Sequence, residues 1–367
     1  MNGKREYYLR AGFNDTEHDR LRLDSYHIEH ERGVTAPVSR ARIVLPHTED
    51  SRRLYSNEPV TITMVDHDRA DREFELFHGY AEAVNPERAR GLVHLIARGP
   101  LWPVRCIQVV DETLDSTTLT EYLTQWAYDY MEVEPIITVT GSPALPPSIT
   151  VERGNPLDFL ARLREFHPFH VRYDPRTEEL TFEDEVTPAG MSEEYRAAHT
   201  LTLKHPVSHG ELCLTPHPTV GILDGNGDII ATGGPGPYYG ALLEMPWMSI
   251  GQAQEYADAC YDELRLPRKM GYLSYQDWTA VDDIDPFTSP NELVYLRNPD
   301  GSGRAFAVQR IILDGGARQD QLTGIVYVDR IHRVYVPGLM PGGPNAPCHP
   351  ACPTGDPYWF RQRDRGN

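Results

Sequence analysis

The residues best suited to chemistry lie at Cys348, His349 and Cys352, which bring two thiols and an imidazole within five positions. Zinc binds Cys and His in tetrahedral sites, and a Cys-x3-Cys pair has the usual spacing of two ligands. A second ligand pair is missing nearby, so Cys106, Cys213 or another copy of the chain would have to supply it. An exposed thiol pair or a disulfide is the simpler interpretation. We therefore predict no metal site, with these three residues as the only candidates.

The remaining cysteines, Cys106, Cys213 and Cys260, are scattered along the chain. Five cysteines form an odd set, which disfavours a disulfide framework. We interpret these three as small buried hydrophobic residues.

Two histidines flank a proline and a phenylalanine in the sequence HPFH, at His167 and His170. Neither has a carboxylate or cysteine partner at a useful spacing. Proline disfavours helical geometry in the residue before it, so His167 is interpreted as the end of a helix and His170 as part of a hairpin.

Runs of acidic residues at 183–185 and 282–285 lack the alternating ligands, central glycine and distal glutamate of a calcium loop. A glycosidase needs two carboxylates at a set separation, which a sequence cannot show. The glycine-rich stretch 233–237 is followed by tyrosine and lacks the Lys-Ser/Thr of a phosphate loop, so it indicates a turn. We predict no catalytic residue and no cofactor.

The predicted secondary structure of the chain begins with a β region over residues 1–104. Strand-like segments rich in β-branched and aromatic residues alternate with polar turns, at 41–45, 60–65, 74–84 and 92–97. The stretch 85–91, which contains Pro86, is predicted as a turn. Strands at this spacing without intervening helices predict a small barrel or sandwich.

Residues 105–199 are predicted to form an inserted α+β domain. Thr118 and Glu121 form a capping-box pattern ahead of an amphipathic helix, and Asn155 with Pro156 begins a second helix. Short strands at 170–173 and 180–182 then predict a hairpin. The overall fold class is α+β and mainly β.

Residues 200–336 return to β structure and predict a second small barrel, followed by a Pro/Gly-rich tail over 337–367. The turn at 224–227 predicts a hairpin. Ser249 and Gln252 form another capping box, which begins a helix near 250–265 that interrupts this barrel. We expect segment 238–290 to pack on the inserted domain.

The composition is that of an ordinary folded protein, with 40% hydrophobic and 24% charged residues in 367 positions. A net charge of -19 disfavours nonspecific nucleic-acid binding, which is driven by clustered Lys and Arg. No apolar stretch approaches a bilayer span, and the polar start lacks the apolar run of a signal peptide. We expect assembly in a host cytoplasm and no membrane span.

This order of elements resembles the baseplate hub proteins of tailed phages, including the late-control-D proteins and the hub half of type VI secretion spikes. The resemblance rests on FELFHGYAEAV in the first barrel, NPLDFLARLREFHPFHVRYD in the inserted domain, and NELVYLRN with FAVQRIILDGG and LTGIVYVDR in the second barrel. It covers roughly residues 5–335 and contains no catalytic signature.

The resemblance implies a homotrimer in which two similar barrels per chain imitate a sixfold ring and match a hexameric tail tube. It implies a place at the tail tip or baseplate of a virion, in contact with the tube or a distal tail protein ring, a tip, spike or receptor-binding protein, and the tape measure protein. DNA would pass through an acidic lumen without specific binding. We find no pattern of a spike β-helix or of a lysozyme-like domain after Tyr335, so we expect any puncturing tip or wall hydrolase to be a separate chain.

Two alternatives to the tail hub stay open. In the second interpretation, the chain would be a distal tail adaptor or the hub of a bacterial contractile injection system, because these proteins share the barrel. A third interpretation, a virion-associated cell-wall or glycan hydrolase, would need an active site assembled from scattered residues, because neither Gly-x-Ser-x-Gly nor His-Glu-x-x-His occurs.

Overall fold

The computed structural model describes most of the chain up to Val328. The described residues are 5–11, 20–32, 38–67, 72–141, 143, 145–164, 166–167, 169–175, 177–185, 191–206, 210–212, 217–246, 248–265, 268–274, 278–279, 293–316 and 322–328. None of the helices within these ranges has the length and apolar character of a bilayer span.

The described residues of the first β region form seven strands. They are β1 (Arg5–Ala11), β2 (Arg20–Arg22), β3 (Ser25–Glu31), β4 (Val38–Pro46), β5 (Pro59–Asp66), β6 (Arg72–Glu87) and β7 (Leu92–Arg98). Burial alternates clearly along β4 and β7, so one face of each of these strands packs inward. Pro86 pairs with Val93 inside the β6–β7 ladder. The prediction of a turn from residue 85 is therefore wrong, because β6 extends to Glu87 and the turn occupies only the next few residues.

These strands close on themselves. The antiparallel order runs β1, β5, β6, β7, β4, β3, and β2 returns to β1. Between β2 and β3, the Leu23 N–H donates to the Tyr7 carbonyl at 3.0 Å and the next N–H, of Asp24, donates to Val44 at 2.9 Å. The segment 20–31 therefore hydrogen-bonds to β1 on one edge and β4 on the other, and completes a six-membered ring. We call this the first ring.

The inserted unit follows, with a core of its own that includes Trp126, Phe159 and Phe182. The predicted helices and the hairpin are confirmed, and a two-stranded ribbon was not predicted. The elements are α1 (Trp102–Cys106), β8 (Val109–Asp115), α2 (Leu119–Met131), β9 (Ile136–Ile137), β10 (Ser148–Gly154), α3 (Leu157–Arg164), β11 (Phe169–Asp174) and β12 (Glu179–Asp184). Thr118 and Glu121 cap α2 reciprocally, and Asn155 accepts the Leu157 N–H at 3.0 Å.

The last β region contains α4 (Glu193–Ala198), β13 (Thr200–Leu203), β14 (Gly210–Leu212), β18 (Arg268–Ser274), β19 (Trp278–Thr279), β20 (Leu293–Arg297), β21 (Gly303–Gly316) and β22 (Leu322–Val328). Segments 200–212 and 268–279 pair antiparallel at two places, as β13 with β19 and β14 with β18. The order continues through β22, β21 and β20, and β20 returns to β13 in parallel. This second ring has five segments and one parallel pair, so it is cyclic like the first but smaller.

The two rings share one strand pair and one core. β21 pairs with β3 over seven residues, and this ladder joins all fourteen strands into one sheet. A single hydrophobic core contains Ile28, Ile43 and Phe77 from the first ring together with Phe306 and Leu313 from the second. We call the β3–β21 ladder the seam.

A small unit interrupts the second ring at residues 217–265. It consists of β15 (Val220–Leu223), β16 (Ile229–Gly233), β17 (Ala241–Glu244) and α5 (Ile250–Leu264), which begins at the predicted Ser249 capping box. The predicted turn joins β15 to β16. We expected segment 238–290 to pack on the inserted unit. In the described part of that segment, α5 packs on β15 and β16 around a separate core that includes Ala257 and Cys260. Packing of this segment on the inserted unit stays a prediction.

Candidate functional site

Charged side chains line the outer face of the seam. His27 and Glu29 on β3 lie opposite Asp314 and Ile312 on β21. One ring nitrogen of His27 hydrogen-bonds to Asp314, and the other lies 2.9 Å from Glu29. Arg310 reaches Glu29 at 2.6 Å. These groups form a continuous ionic network across the strand pair that joins the two rings.

The network perturbs the titration of its members. The hydrogen bond that His27 donates to Asp314, and a second that it donates to Glu29, raise the pKa of His27 to about 9. The hydrogen bond with His27 lowers the pKa of Glu29 to about 2, with help from Arg310. Both groups are therefore charged near neutral pH, and the seam is held by opposite charges as well as by its ladder.

A second ionic cluster ties the inserted unit to the first ring. Glu185, which directly follows β12, is 6% exposed. Its carboxylate pairs with Arg164 of α3 at 2.6 Å and with Arg32 at the end of β3. Between the same two units, burial raises the pKa of Tyr80 on β6 to about 12, and its side chain hydrogen-bonds with that of Tyr173 on β11. Polar contacts therefore fix the inserted unit on the first ring.

His167 has a carboxylate partner that sequence reasoning missed. Its Nε2 lies 2.6 Å from Asp184, which also accepts from the Thr140 N–H at 3.0 Å. Burial opposes ionisation of Asp184, but the hydrogen bonds from Thr140 and His167 outweigh it and lower the pKa. The pair joins the segment between α3 and β11 to the end of β12. His170 lies buried on β11.

The three neighbouring acids 183–185 have separate partners. Glu183 pairs with Arg172, while Asp184 and Glu185 make the contacts given above. Each of the three acids is therefore engaged by a different set of side chains. The acids at 282–285 lie outside the described residues. Across the part of the chain that is described, no three His, Cys, Asp or Glu side chains are placed to hold a metal.

The cysteine predictions divide. Cys260 is buried as expected, whereas Cys106 is exposed at the end of α1, so that prediction is wrong. A five-residue helix that lies at the surface offers few buried positions. Cys213 and the candidate ligands Cys348, His349 and Cys352 lie outside the described residues.

The negative charge is unevenly divided among the units. Residues 1–104 contain 17 acidic and 15 basic residues, whereas residues 105–199 contain 18 acidic and 7 basic residues. The first ring is therefore nearly neutral, and the inserted unit contributes most of the negative charge.

Three solved structures of tail proteins share this fold across nearly the whole chain. A 43 kDa tail protein of prophage MuSo2 from Shewanella oneidensis matches with a TM-score of 0.58 and 13% identity, over 90% of this chain and 100% of that one. A tail protein from Neisseria meningitidis matches at 0.60 and 12%, over 88% and 96%. Prophage tail protein gp18 from Listeria monocytogenes matches at 0.51 and 10%, over 89% and 94%.

A fourth solved structure with this fold belongs to a secretion system. An Escherichia coli component of the type VI secretion system, described as structurally similar to the bacteriophage T4 tail proteins gp27 and gp5, matches with a TM-score of 0.51 and 10% identity, over 91% of this chain and 80% of that one. No protein-family model and no curated protein sequence matches the chain. The resemblance inferred from the sequence is confirmed at the level of structure: this chain has the fold of phage tail proteins and of their type VI secretion counterpart.

Proposed function

We propose that this chain is a structural hub of a phage tail, a homotrimer that adapts the hexameric tail tube to a threefold tip and lines part of the DNA ejection channel. The observation that carries the proposal is the match to tail proteins over almost the full length of both chains. The domain division near residues 104, 199 and 336 belongs to this proposal. Its partners are the tube or a distal tail ring, the tip or receptor-binding protein, and the tape measure protein.

The two rings support a trimer physically. Each chain offers two cyclic β units joined by the seam, so three copies present six ring units. The six-segment and five-segment rings imitate sixfold symmetry approximately, because their strand numbers differ. The buried Glu185 cluster holds the inserted unit in one orientation on the first ring, as a rigid adaptor requires.

Passage of DNA needs a wall that does not retain a polyanion. The first ring is close to neutral by count, so it has no net positive charge with which to hold phosphate. The excess acid of the inserted unit adds repulsion wherever that unit faces the channel.

A contractile injection system hub is the second candidate, supported by the match to the type VI secretion component. Both functions predict a trimer of this chain, but a tail hub would be part of a phage particle and a secretion hub would be part of a contractile injection particle. Electron microscopy of particles from the producing strain, with an antibody against this chain, separates them: label at the tip of DNA-filled phages supports the tail hub, and label on DNA-free contractile particles supports the secretion hub.

Native mass spectrometry of the purified chain tests the shared part of the proposal. We expect a species of three times 41.6 kDa, alone or when mixed with the tube protein. A chain that stays monomeric at high concentration, with the tube protein and in isolated particles would overturn the trimer.

A further inference from the structure

The small unit leaves one face of its sheet open. Helix α5 covers the face that contains Val220 and Ile222. On the opposite face, Leu242 is 53% exposed and Glu244, two residues along the same strand, is also exposed. Gly221 of β15 lies beneath, and its side-chain position is filled by Leu242 and Tyr239.

This face is apolar and carries one acidic side chain, that of Glu244. Residues 217–265 contain seven acidic residues and one arginine, but four of the acidic residues lie on α5, which covers the opposite face. Tyr238, beside the sheet, is 74% exposed, which is unusual for a large aromatic side chain. Glu244 has no ion pair within the part of the chain that is described. We call Tyr238, Tyr239, Leu242 and Glu244 the acidic face.

The first ring has an open apolar patch beside a positive charge. Val44 on β4 and Ile96 on β7 point away from the core, are half-buried, and belong to none of the hydrophobic clusters of the described residues. Arg42 lies directly opposite Ile96 and is exposed, without an ion pair among the described side chains. Its other cross-strand neighbour is His27. We call Arg42, Val44 and Ile96 the basic face.

We propose that the acidic face of one copy docks on the basic face of the next copy of this chain. Arg42 on one face and Leu242 and Glu244 on the other are exposed within one chain, so the two faces do not cover each other. Both present apolar side chains beside one unpaired charge, and the charges are of opposite sign. Two different faces in contact make a head-to-tail interface, which closes into a ring when the rotation between copies allows it.

This inference rests on the proposed oligomer and names the surfaces that hold it together. A different tail protein is a less suitable occupant, because a partner that binds one of the two faces leaves the other face uncovered. A second copy covers both at once and repeats the same contact around the ring.

Charge reversal tests the contact. We expect Arg42→Glu and Glu244→Arg each to weaken self-association at least about tenfold, because each places like charges across the apolar contact. The double variant should recover most of the wild-type association, since the pair is restored with reversed signs. Mass photometry across a concentration series gives the dissociation constant, and matching melting curves confirm that each variant is folded.

Two control variants make the same types of charge reversal at other exposed positions. Arg297→Glu on β20 and Glu179→Arg at the start of β12 alter exposed strand residues outside both faces. They should associate like the wild type. If Arg42→Glu and Glu244→Arg also associate like the wild type, or if the double variant is as weak as the singles, the proposed contact is wrong while the hub function stands. A wild-type chain that never associates, alone or in particles, removes the hub function itself.

Discussion

At the scale of single residues, Glu185 determines how the inserted unit is attached. Its buried carboxylate faces two guanidinium groups, Arg32 from the first ring and Arg164 from α3. Removing one partner of a buried ion pair is strongly destabilising, because the other charge stays out of water without compensation. Together with the Tyr80–Tyr173 contact, this side chain therefore joins two units that have separate cores.

We expect Glu185→Gln to lower the free energy of unfolding by about 3–5 kcal/mol. Equilibrium urea denaturation measures it. Glu183→Gln, two residues earlier, is the matched control: Glu183 pairs with the more exposed Arg172, and an exposed pair contributes at most about 1 kcal/mol. Equal losses in both variants would show that Glu185 has no special role.

The sequence predicted residue types better than residue partners. Asn155 and the Thr118–Glu121 pair were predicted as caps, because a cap lies within a few residues of its partner. Asp184 is 17 positions from His167, and only the fold brings these two together. The acids on β3 carried an available signal, since His27 and Glu29 alternate with buried residues.

At the scale of elements, the seam joins the rings through charges that respond to pH. The folded pKa of His27 is raised from 6.5 to about 9 by Asp314 and Glu29. A raised pKa means that its stabilising contribution is complete below pH 6.5 and is lost as the pH rises through about 9. Glu29 behaves oppositely, and its contribution is lost as the pH falls from 4.5 through about 2.

We expect the wild type to lose stability relative to His27→Gln as the pH rises from 6.5 to about 9. Urea denaturation of both proteins across this window gives the difference in unfolding free energy. That difference should shrink steadily, because deprotonation of His27 in the wild type removes the positive charge that the His27→Gln substitution has already removed. A difference that stays constant over the window would contradict the assigned role of His27.

Two glycines in the small unit predict opposite effects of the same substitution. A Cβ at Gly233 would lie 1.9 Å from the Ala257 carbonyl oxygen of α5, whereas a Cβ at Gly251 meets nothing within 4 Å. Gly233→Ala should destabilise by about 1–3 kcal/mol or more, because the helix must move away from β16. Gly251→Ala should be neutral or stabilising by up to about 1 kcal/mol.

Hydrogen exchange followed by mass spectrometry locates the Gly233→Ala effect. The small unit has its own core, so faster exchange should be confined to residues 217–265. Faster exchange throughout both rings would show instead that the small unit and the rings unfold as one.

Elements with strong local signals were predicted, and elements defined by distant pairing were not. The three helices α2, α3 and α5 have caps and apolar stripes in the sequence, and the structure has them. Strands β1 to β3 were not predicted, because charged residues interrupt their alternation, as in SYHIEHE. The seam between β3 and β21 joins residues almost 300 positions apart, and no local pattern indicates such a pairing.

At the scale of the whole molecule, the charge distribution bears on the proposed channel. The net charge is -19, but the first ring is nearly balanced and the inserted unit is strongly acidic. A wall built from the first ring alone would carry little net charge. Weak attraction or weak repulsion is compatible with passage, whereas a basic groove is not.

We expect the purified chain not to bind duplex DNA at physiological salt of about 0.15 M. Nonspecific binding requires released counterions, and proteins that bind in this way reach dissociation constants of about 10⁻⁴ to 10⁻⁶ M. Fluorescence anisotropy of a labelled duplex, titrated with the trimer, measures the affinity, and a basic DNA-binding protein is the positive control. Micromolar binding that weakens steeply with added salt would reveal a basic groove on the assembled ring and would contradict the proposed channel.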